Sequence, residues 1–307
     1  MSAIVIEGLR KNYGEVVALD GLDLCVDKGA IFGFLGPNGA GKTTTLRILA
    51  GLAHPTAGQA WIEGASVGPE SPARKSIGYL PEEPSFYPWM TAQEFLADLV
   101  GGLHNMPRSA AKERSEEMLG LVGLEEAAGR RIGGFSRGMR QRLGLAQAFM
   151  NRPQVLLLDE PVSALDPSGR HSILSIIEEL GKEATIFMST HILDDVERIC
   201  DTIGILDRGR LIVVDSREDL IRQYAVPIIE VVFDAEPEAV RSWAESLREM
   251  QLEMGIRQEG SEVRISFDGS SRSSAEIQRL ALGADMSVLS YQHVRPQLED
   301  VFLQLVE

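Results

Sequence analysis

Short apolar runs alternate with helix-like patterns over residues 1–215. The runs that predict strands, several of them buried on both faces, are IFGFLG (31–36), VLLLDE (155–160), TIFMST (185–190) and IGILDRG (203–209). Residues 109–122 and 136–150 carry apolar positions at helical spacing. Near the start, IVIEGL alternates in the way that predicts an antiparallel edge sheet. The pattern is typical of an α/β fold.

The pattern changes after Asp215, and lysine is absent beyond Lys182. A short helix over 216–224 precedes Pro227, which marks a boundary. The elements predicted beyond it are strand 228–233, helix 237–250, strands 252–257 and 262–267, helix 274–282, strand 286–292 and a closing helix after Pro296. This βαββαβ order allows a ferredoxin-like sandwich. We expect three parts: a large α/β domain, a linker helix and a small α+β accessory domain, at 1–215, 216–227 and 228–307.

The composition argues against several kinds of binding partner and structural site. The chain has 30 Lys+Arg against 45 Asp+Glu and a formal net charge of −15, which disfavours binding to a nucleic-acid backbone. Its two cysteines, Cys25 and Cys200, lie far apart without metal-ligand spacing, so neither a disulfide scaffold nor a cysteine metal site is expected. We expect no signal peptide, and no run of about 18 apolar residues predicts a membrane span.

The strongest motif follows the first buried strand. It reads Gly36-Pro37-Asn38-Gly39-Ala40-Gly41-Lys42-Thr43-Thr44, fits G-x-x-x-x-G-K-[ST] and opens a helix. Glycines let successive backbone N–H groups turn towards phosphate oxygens, and the helix N-terminus adds a positive dipole end. Lys42 would bridge the terminal phosphates, and the Thr43 hydroxyl would bind Mg²⁺. A glycine-rich turn before an ordinary helix is the alternative, but the strand–loop–helix context favours a nucleoside triphosphate site.

Two acids end the strand over 155–160. Asp159 is suited to hold Mg²⁺ through water, and Glu160, expected on the other face of the strand, could act as general base towards an attacking water. His191 ends another strand and could donate to a terminal phosphate or orient the water. The alternatives are a solvated acidic turn and a structural histidine. Asp166 before Pro167 fits a helix N-cap, which does not exclude an interface role.

These segments, in this order, resemble the ATP-binding subunit of an ABC transporter. The stretch Phe135-Ser136-Arg137-Gly138-Met139-Arg140-Gln141-Arg142 resembles the family's signature loop LSGGQxQR. Ser136 and Gly138 match the common form, whereas Arg137 and Met139 depart from it. The resemblance implies that Ser136 and Gly138 complete the ATP site of a second protomer. Apart from the resemblance, a serine hydroxyl and glycine N–H groups at a helix N-terminus form an anion cradle, and an ordinary capped helix start is the alternative.

Further site residues follow from the resemblance. It implies that Tyr13 stacks on adenine, although a single tyrosine could equally pack on the surface. Glu82 stands where the family has a glutamine that links Mg²⁺ to the transport subunit, so direct and water-mediated metal contact both stay open. The implied fold is a P-loop NTPase cassette of ABC type over 1–215, with a mixed sheet core, an antiparallel edge sheet and a helical subdomain at about 83–150.

Two further stretches bear on partners. Residues 83–107 carry Phe86, Tyr87, Trp89 and Met90, which could form a groove for a partner helix or pack as ordinary core. In the family this region receives the membrane subunit. The tail PQLEDVFL (296–303), by itself an amphipathic helix, resembles the closing stretch of bacterial ABC-2-type exporter ATPases for drugs, lipids or polysaccharides.

The resemblance therefore implies an ATPase that uses ATP and Mg²⁺ to power a membrane transporter, in the export direction. Its expected partners are a second copy of itself or a homologous ATPase, in a head-to-tail dimer, and separate transmembrane permease subunits. The expected location is the cytoplasmic face of the membrane, as a peripheral protein without nucleic acid. Two alternatives stay open: a soluble ABC ATPase acting on ribosomes or DNA, and a regulatory subunit that binds ATP without hydrolysing it.

Overall fold

The chain forms two compact units, Met1–Ser216 and Arg217–Glu307. The computed structural model describes residues 1–68, 70–249, 255–294 and 296–306. The strands of the first unit are β1 (Ser2–Tyr13), β2 (Val16–Asp27), β3 (Ile31–Leu35), β4 (Ala57–Ile62), β5 (Ala65–Ser66), β6 (Ile77–Leu80), β7 (Val155–Asp159), β8 (Thr185–Thr190), β9 (Thr202–Asp207) and β10 (Arg210–Ser216). Its helices are α1 (Lys42–Leu49), α2 (Ala92–Glu94), α3 (Gly101–Leu103), α4 (Arg108–Leu121), α5 (Arg137–Ala148), α6 (Pro167–Gly181) and α7 (Leu193–Ile199).

Two sheets build the first unit. One is antiparallel, in the order β2-β1-β4-β5, and the other has six strands in the order β10-β9-β3-β8-β7-β6. In the larger sheet all neighbours pair parallel except β9 and β10. Every residue of β7 and β8 is buried, as expected for strands covered on both faces. The carboxyl ends of β3, β7 and β8 therefore lie side by side at one edge, where ligands bind in sheets of this kind.

A helical region lies between β6 and β7. It begins with a capping box, in which Thr91 Oγ1 accepts from the N–H of Glu94 and the Glu94 carboxylate accepts from the N–H of Thr91. The helix continues from α2 into α3 through a π-helical segment, Phe95–Val100. Its apolar residues join a core with α4, α5 and β7 in which Leu96, Met118 and Leu145 are almost fully buried. This core fixes where α5, and with it Ser136, begins.

The second unit is a four-stranded antiparallel sheet with helices. Its elements are α8 (Arg217–Tyr224), β11 (Ile228–Asp234), α9 (Pro237–Glu249), β12 (Gly255–Glu259), β13 (Glu262–Ser266), α10 (Ser271–Leu282), β14 (Ser287–Val294) and α11 (Leu298–Val306). The strand order is β12-β13-β11-β14, and the βαββαβ sequence predicted for a ferredoxin-like sandwich is present. Alternate β11 residues, Ile229, Val231 and Phe233, form its core with Trp243 of α9.

One detail of this unit differs from the sequence expectation, and another lies partly outside the described residues. Helix α8 packs against α11 within the second unit, whereas 216–227 was expected to be a linker. Strand β12 begins at Gly255, and the predicted strand residues 252–254 lie outside the described residues. Among the described residues, no helix combines the length and the apolar character that a membrane span requires.

Candidate nucleotide site

The loop between β3 and α1 curls around its own lysine. Lys42 Nζ donates to the carbonyl of Gly36 at 2.7 Å and to that of Pro37 at 3.2 Å. Gly41 has a φ of 112°, and a Cβ there would lie 2.6 Å from the carbonyl oxygen of Ala18, so only glycine fits. The loop thus brings the Lys42 amino group close to the N-terminus of α1, and this combination is suited to binding phosphate.

This loop forms one wall of a cleft of about 360 Å³. The residues named from sequence that line it are Asn38, Gly39, Gly41, Lys42, Thr43, Thr44, Glu82, Glu160 and His191. Gly36 and Pro37 contribute the carbonyls that hold Lys42, and the carbonyl of Ala40 accepts the N–H of Gly209 at 2.9 Å. The turn between β9 and β10 therefore supports the loop from behind.

Three ionisable side chains meet in this cleft. Lys42 Nζ lies 3.4 Å from Oε1 of Glu160, and His191 Nδ1 lies 2.9 Å from Oε2 of the same carboxylate. Lys42 and Glu160 are buried, whereas the His191 side chain is partly exposed. The carboxylate thus links a phosphate-binding cation to a group that can carry a proton, beside a space open to solvent.

The backbone at Glu160 explains how its side chain reaches the cleft. Strand β7 ends at Asp159, and Glu160 has a φ of 46°. Its N–H donates to the carbonyl and to Oγ of Ser189, at 3.2 and 3.0 Å. The expectation that Glu160 lies on the other face of the strand was wrong, because the strand has ended and the left-handed residue turns the chain. A non-glycine residue in this conformation is strained, and such strain clusters at functional sites.

Asp159 is held by two hydroxyl groups. Its Oδ1 accepts from Thr43 Oγ1 at 3.0 Å and from Ser189 Oγ at 2.8 Å. Burial raises the pKa of the Asp159 carboxyl, while the hydrogen bonds from Ser189 and Thr43 lower it. The hydroxyls therefore offset part of the desolvation cost of keeping this carboxylate ionised. The carboxylate and the Thr43 hydroxyl form an oxygen donor pair of the kind that binds Mg²⁺.

Beyond the phosphate loop, three residues predicted for nucleotide binding lie outside the cleft lining. Tyr13 ends β1 with its side chain about half exposed and the amino group of Lys11 4.8 Å from its ring centroid. Ser136 caps α5, accepting from the N–H of Met139 at 3.2 Å, and Gly138 follows in its first turn. A Cβ at Gly138 would meet only Leu165, at 3.8 Å, so the backbone there is open to close approach. Asp166 is the N-cap of α6 without a capping bond from its side chain.

Sequence reasoning missed three residues of this region. Ala18 and Ser163 line the cleft, and Ser189, fully buried, joins Asp159 to Glu160. A signal for Ser189 existed, since a polar residue at the end of an apolar strand, in register with Asp159 on the parallel neighbour, is an unusual core residue.

A mixed sheet with a phosphate loop, two acids and a histidine at adjoining strand ends defines a P-loop nucleotide-hydrolysing cassette. Residues 19–163 match the family model described as ABC transporter. An uncharacterised ABC transporter ATP-binding protein, YxlF of Bacillus subtilis, is 48% identical over 206 residues, covering 67% of this chain and 68% of the relative.

Other relatives match almost the whole chain. The linearmycin resistance ATP-binding protein LnrL of Bacillus subtilis is 33% identical over 97% of this chain and 96% of the relative. The Nod factor export ATP-binding protein I of Ralstonia nicotianae is 35% identical over 98% of this chain and 92% of the relative. The chain therefore belongs to the ABC transporter family, as an ATP-binding subunit that hydrolyses ATP.

A solved structure of a related cassette bears on the oligomeric state. The dimeric post-hydrolysis state of the ATP-binding cassette MJ0796 with ADP and Pi is 25% identical, covers 69% of this chain and 98% of its own, and superposes with a TM-score of 0.63. ABC ATPases thus work as dimers, and this chain shares the fold of the dimeric cassette.

Proposed function

We propose that residues 1–215 hydrolyse ATP through Glu160, His191 and Lys42, and that this reaction powers export through separate permease subunits. The observation that carries the proposal is the position of Glu160, whose carboxylate lies 3.4 Å from Lys42 Nζ and 2.9 Å from His191 Nδ1 in one cleft. A carboxylate between a phosphate-binding lysine and a histidine is where an attacking water must be oriented.

Each side chain has a distinct part in the reaction. Glu160 orients a water and accepts its proton as the water oxygen bonds to the γ-phosphorus. The bond from that phosphorus to the β–γ bridging oxygen breaks, and ADP leaves with the electron pair. Lys42 neutralises charge on the phosphate oxygens, and His191 donates a hydrogen bond to a terminal oxygen. Tyr13 would stack on the adenine, beyond the phosphate cleft.

The donor set fits a divalent cation. The Thr43 hydroxyl and the Asp159 carboxylate, 3.0 Å apart, would hold Mg²⁺, with Glu82 lining the same cleft. When bound, Mg²⁺ neutralises developing charge on the phosphates. In the part of the chain that is described, no group of three or more His, Cys, Asp and Glu could hold a metal alone.

A second copy, or a homologous ATPase, completes the site. Ser136 and Gly138 lie outside the cleft of their own chain, at the exposed N-terminus of α5 with open backbone at Gly138. Such a terminus binds anions. We place them against the ATP of the other protomer, in a head-to-tail dimer that ATP closes and hydrolysis reopens, so that ATP shifts the population towards the closed state.

The permease contact is assigned to the loop within 83–107. Tyr87 and Trp89 are 47% and 64% exposed, with ring centroids 5.1 Å apart. The loop is tied to the segment before Ser136, because the N–H groups of Ile132 and Gly133 donate to carbonyls of Met90 and Pro88 at 2.9 and 3.0 Å. A permease bound at the aromatic pair would therefore be coupled to the signature loop, at the cytoplasmic face.

The direction of transport rests on relatives that match the full length, one named for linearmycin resistance and one for Nod factor export. We infer an exporter of the ABC-2 type. A soluble ABC ATPase acting on ribosomes or DNA is disfavoured by the net charge of −15.

A trapped complex tests this proposal. A tagged Glu160→Gln protein, locked with ATP in its native cells and purified in mild detergent, is expected to retain a polytopic membrane protein. A Trp89→Ala change in the same background should lose that partner, whereas Leu289→Ala, which alters an equally exposed apolar residue in the second unit, should keep it. Recovery of ribosomes or nucleic acid instead would contradict the transporter proposal.

A further inference from the structure

A fully buried carboxylate joins the two helices that follow the catalytic loops. Asp195, in the first turn of α7, has no exposed surface, and its Oδ1 accepts from Nε of Arg170 at 2.5 Å. Arg170 lies in the first turn of α6 and is 25% exposed. Removing one partner of a buried charge pair is strongly destabilising, because it leaves an uncompensated charge in the interior. The pair therefore fixes where α7 begins relative to α6.

The two helices lead directly back to the reacting groups. Helix α6 follows the loop that starts at Glu160, and α7 begins two residues after His191. Two side-chain contacts therefore join the same two chain segments. The Arg170–Asp195 pair connects α6 to α7, and the 2.9 Å contact between His191 and Glu160 connects the loops that precede these helices.

A second contact ties this carboxylate to the residues on both sides of the histidine. Thr190 Oγ1 donates to Oδ2 of Asp195 at 3.4 Å and accepts from the N–H of Ile192 at 3.0 Å. Because Thr190 and Ile192 flank His191, the backbone that carries the imidazole is held by the same carboxylate that Arg170 neutralises.

We propose that Arg170 and Asp195 are positioning residues that hold the imidazole of His191 against Glu160. Asp195 has no exposed surface and neither residue is among those lining the nucleotide cleft, so we assign neither of them a contact with the reacting atoms. Their effect reaches the chemistry only through the imidazole, and displacing a catalytic group by about 1 Å can cost about a hundredfold in rate. The inference rests on the proposed role of His191.

The test compares two contacts between the same helices. Asp195→Asn and Arg170→Gln in the full chain are expected to lower kcat for ATP hydrolysis by about tenfold or more, with the Kd for a fluorescent ATP analogue unchanged. Arg170→Lys, which keeps the charge, should recover part of the loss. Arg198→Gln removes the contact of α7 with His171 of α6 and should change kcat by less than about twofold.

A His191→Ala background separates positioning from simple packing. If Arg170 and Asp195 act through the imidazole, Asp195→Asn should lower the residual rate no further in that background. An undiminished effect there, or an equal loss in Arg198→Gln, would overturn the inference while leaving the role of His191 intact. Near-normal turnover in His191→Ala alone would overturn both the inference and that part of the proposed function. Retained nucleotide binding shows that each variant is folded.

Discussion

The hydroxyl of Ser189 donates a hydrogen bond to Oδ1 of Asp159 at 2.8 Å. Ser189 Oγ in turn accepts a hydrogen bond from the N–H of Glu160 at 3.0 Å. The buried Ser189 side chain thus orients the Asp159 carboxylate, which is assigned to Mg²⁺. It also fixes the backbone of Glu160, the left-handed residue that carries the general base. Removing such an outer partner of a metal ligand typically costs tenfold to a hundredfold in metal affinity or activity.

Ser189→Ala tests this bridge. We expect kcat for ATP hydrolysis to fall about tenfold and the Mg²⁺ concentration for half-maximal activity to rise, because Asp159 keeps only the Thr43 hydroxyl as donor. The measurement is phosphate release across a Mg²⁺ titration. Ser175→Ala, which removes a hydroxyl bonded to the carbonyl of His171, is the control and should leave both quantities unchanged. A Mg²⁺ profile identical to that of the unaltered protein would exclude a role for the bridge.

Gly41→Ala tests the fit of the phosphate loop. A methyl group there would meet the Ala18 carbonyl at 2.6 Å, in a backbone conformation with a φ of 112°. We expect ATP affinity to fall by about tenfold or more, since the loop must shift to relieve both. Equilibrium binding of a fluorescent ATP analogue gives the answer. Gly102→Ala, where a Cβ meets nothing within 4 Å, is the matched control and should bind normally. Equal affinity in the two variants would contradict the close approach.

The closing helix of the second unit is anchored by charge. Arg264 of β13 and Asp300 of α11 lie 3.2 Å apart, with side chains 16% and 8% exposed. Asp300→Ala leaves the guanidinium without this partner and should destabilise α11 by about 2 kcal/mol, or about thirtyfold faster amide exchange.

Hydrogen exchange of peptides from α11 in the full chain measures this effect. Glu276→Ala, which breaks the exposed pair with Arg279, should change exchange of its own helix by about 0.5 kcal/mol or less. If the two substitutions had equal effects, the Arg264–Asp300 pair would be no more than a surface contact.

The sequence predicted the site best where the functional residues directly follow a buried strand in the chain. The phosphate loop, the two acids at the end of β7 and the histidine after β8 each lie at the end of an apolar run, and in a parallel sheet such ends meet at one edge. The structure accordingly brings Lys42, Glu160 and His191 into one cleft. The ABC family, its cassette fold and its ATPase activity are confirmed by the relatives and the solved cassettes.

What the sequence could not predict depends on contacts between distant residues. The π-helical segment Phe95–Val100 leads into Gly101 and Gly102, which disfavour a helix locally, and tertiary packing in the core overrides that preference. The left-handed turn at Glu160 depends on Ser189, 29 residues away. The packing of α8 on α11 likewise joins residues about 80 positions apart, beyond the reach of periodicity.

The central claim is that Glu160 is the base of an ATP-hydrolysing site, and phosphate release by Glu160→Gln tests it most directly. Glutamine keeps the size of the side chain but cannot accept the proton of water, so turnover should fall by about 10²–10⁴-fold. Binding of the ATP analogue should persist, and Glu83→Gln, which alters an acid outside the cleft lining, should hydrolyse ATP normally. Turnover of Glu160→Gln within about tenfold of the unaltered protein would contradict the account.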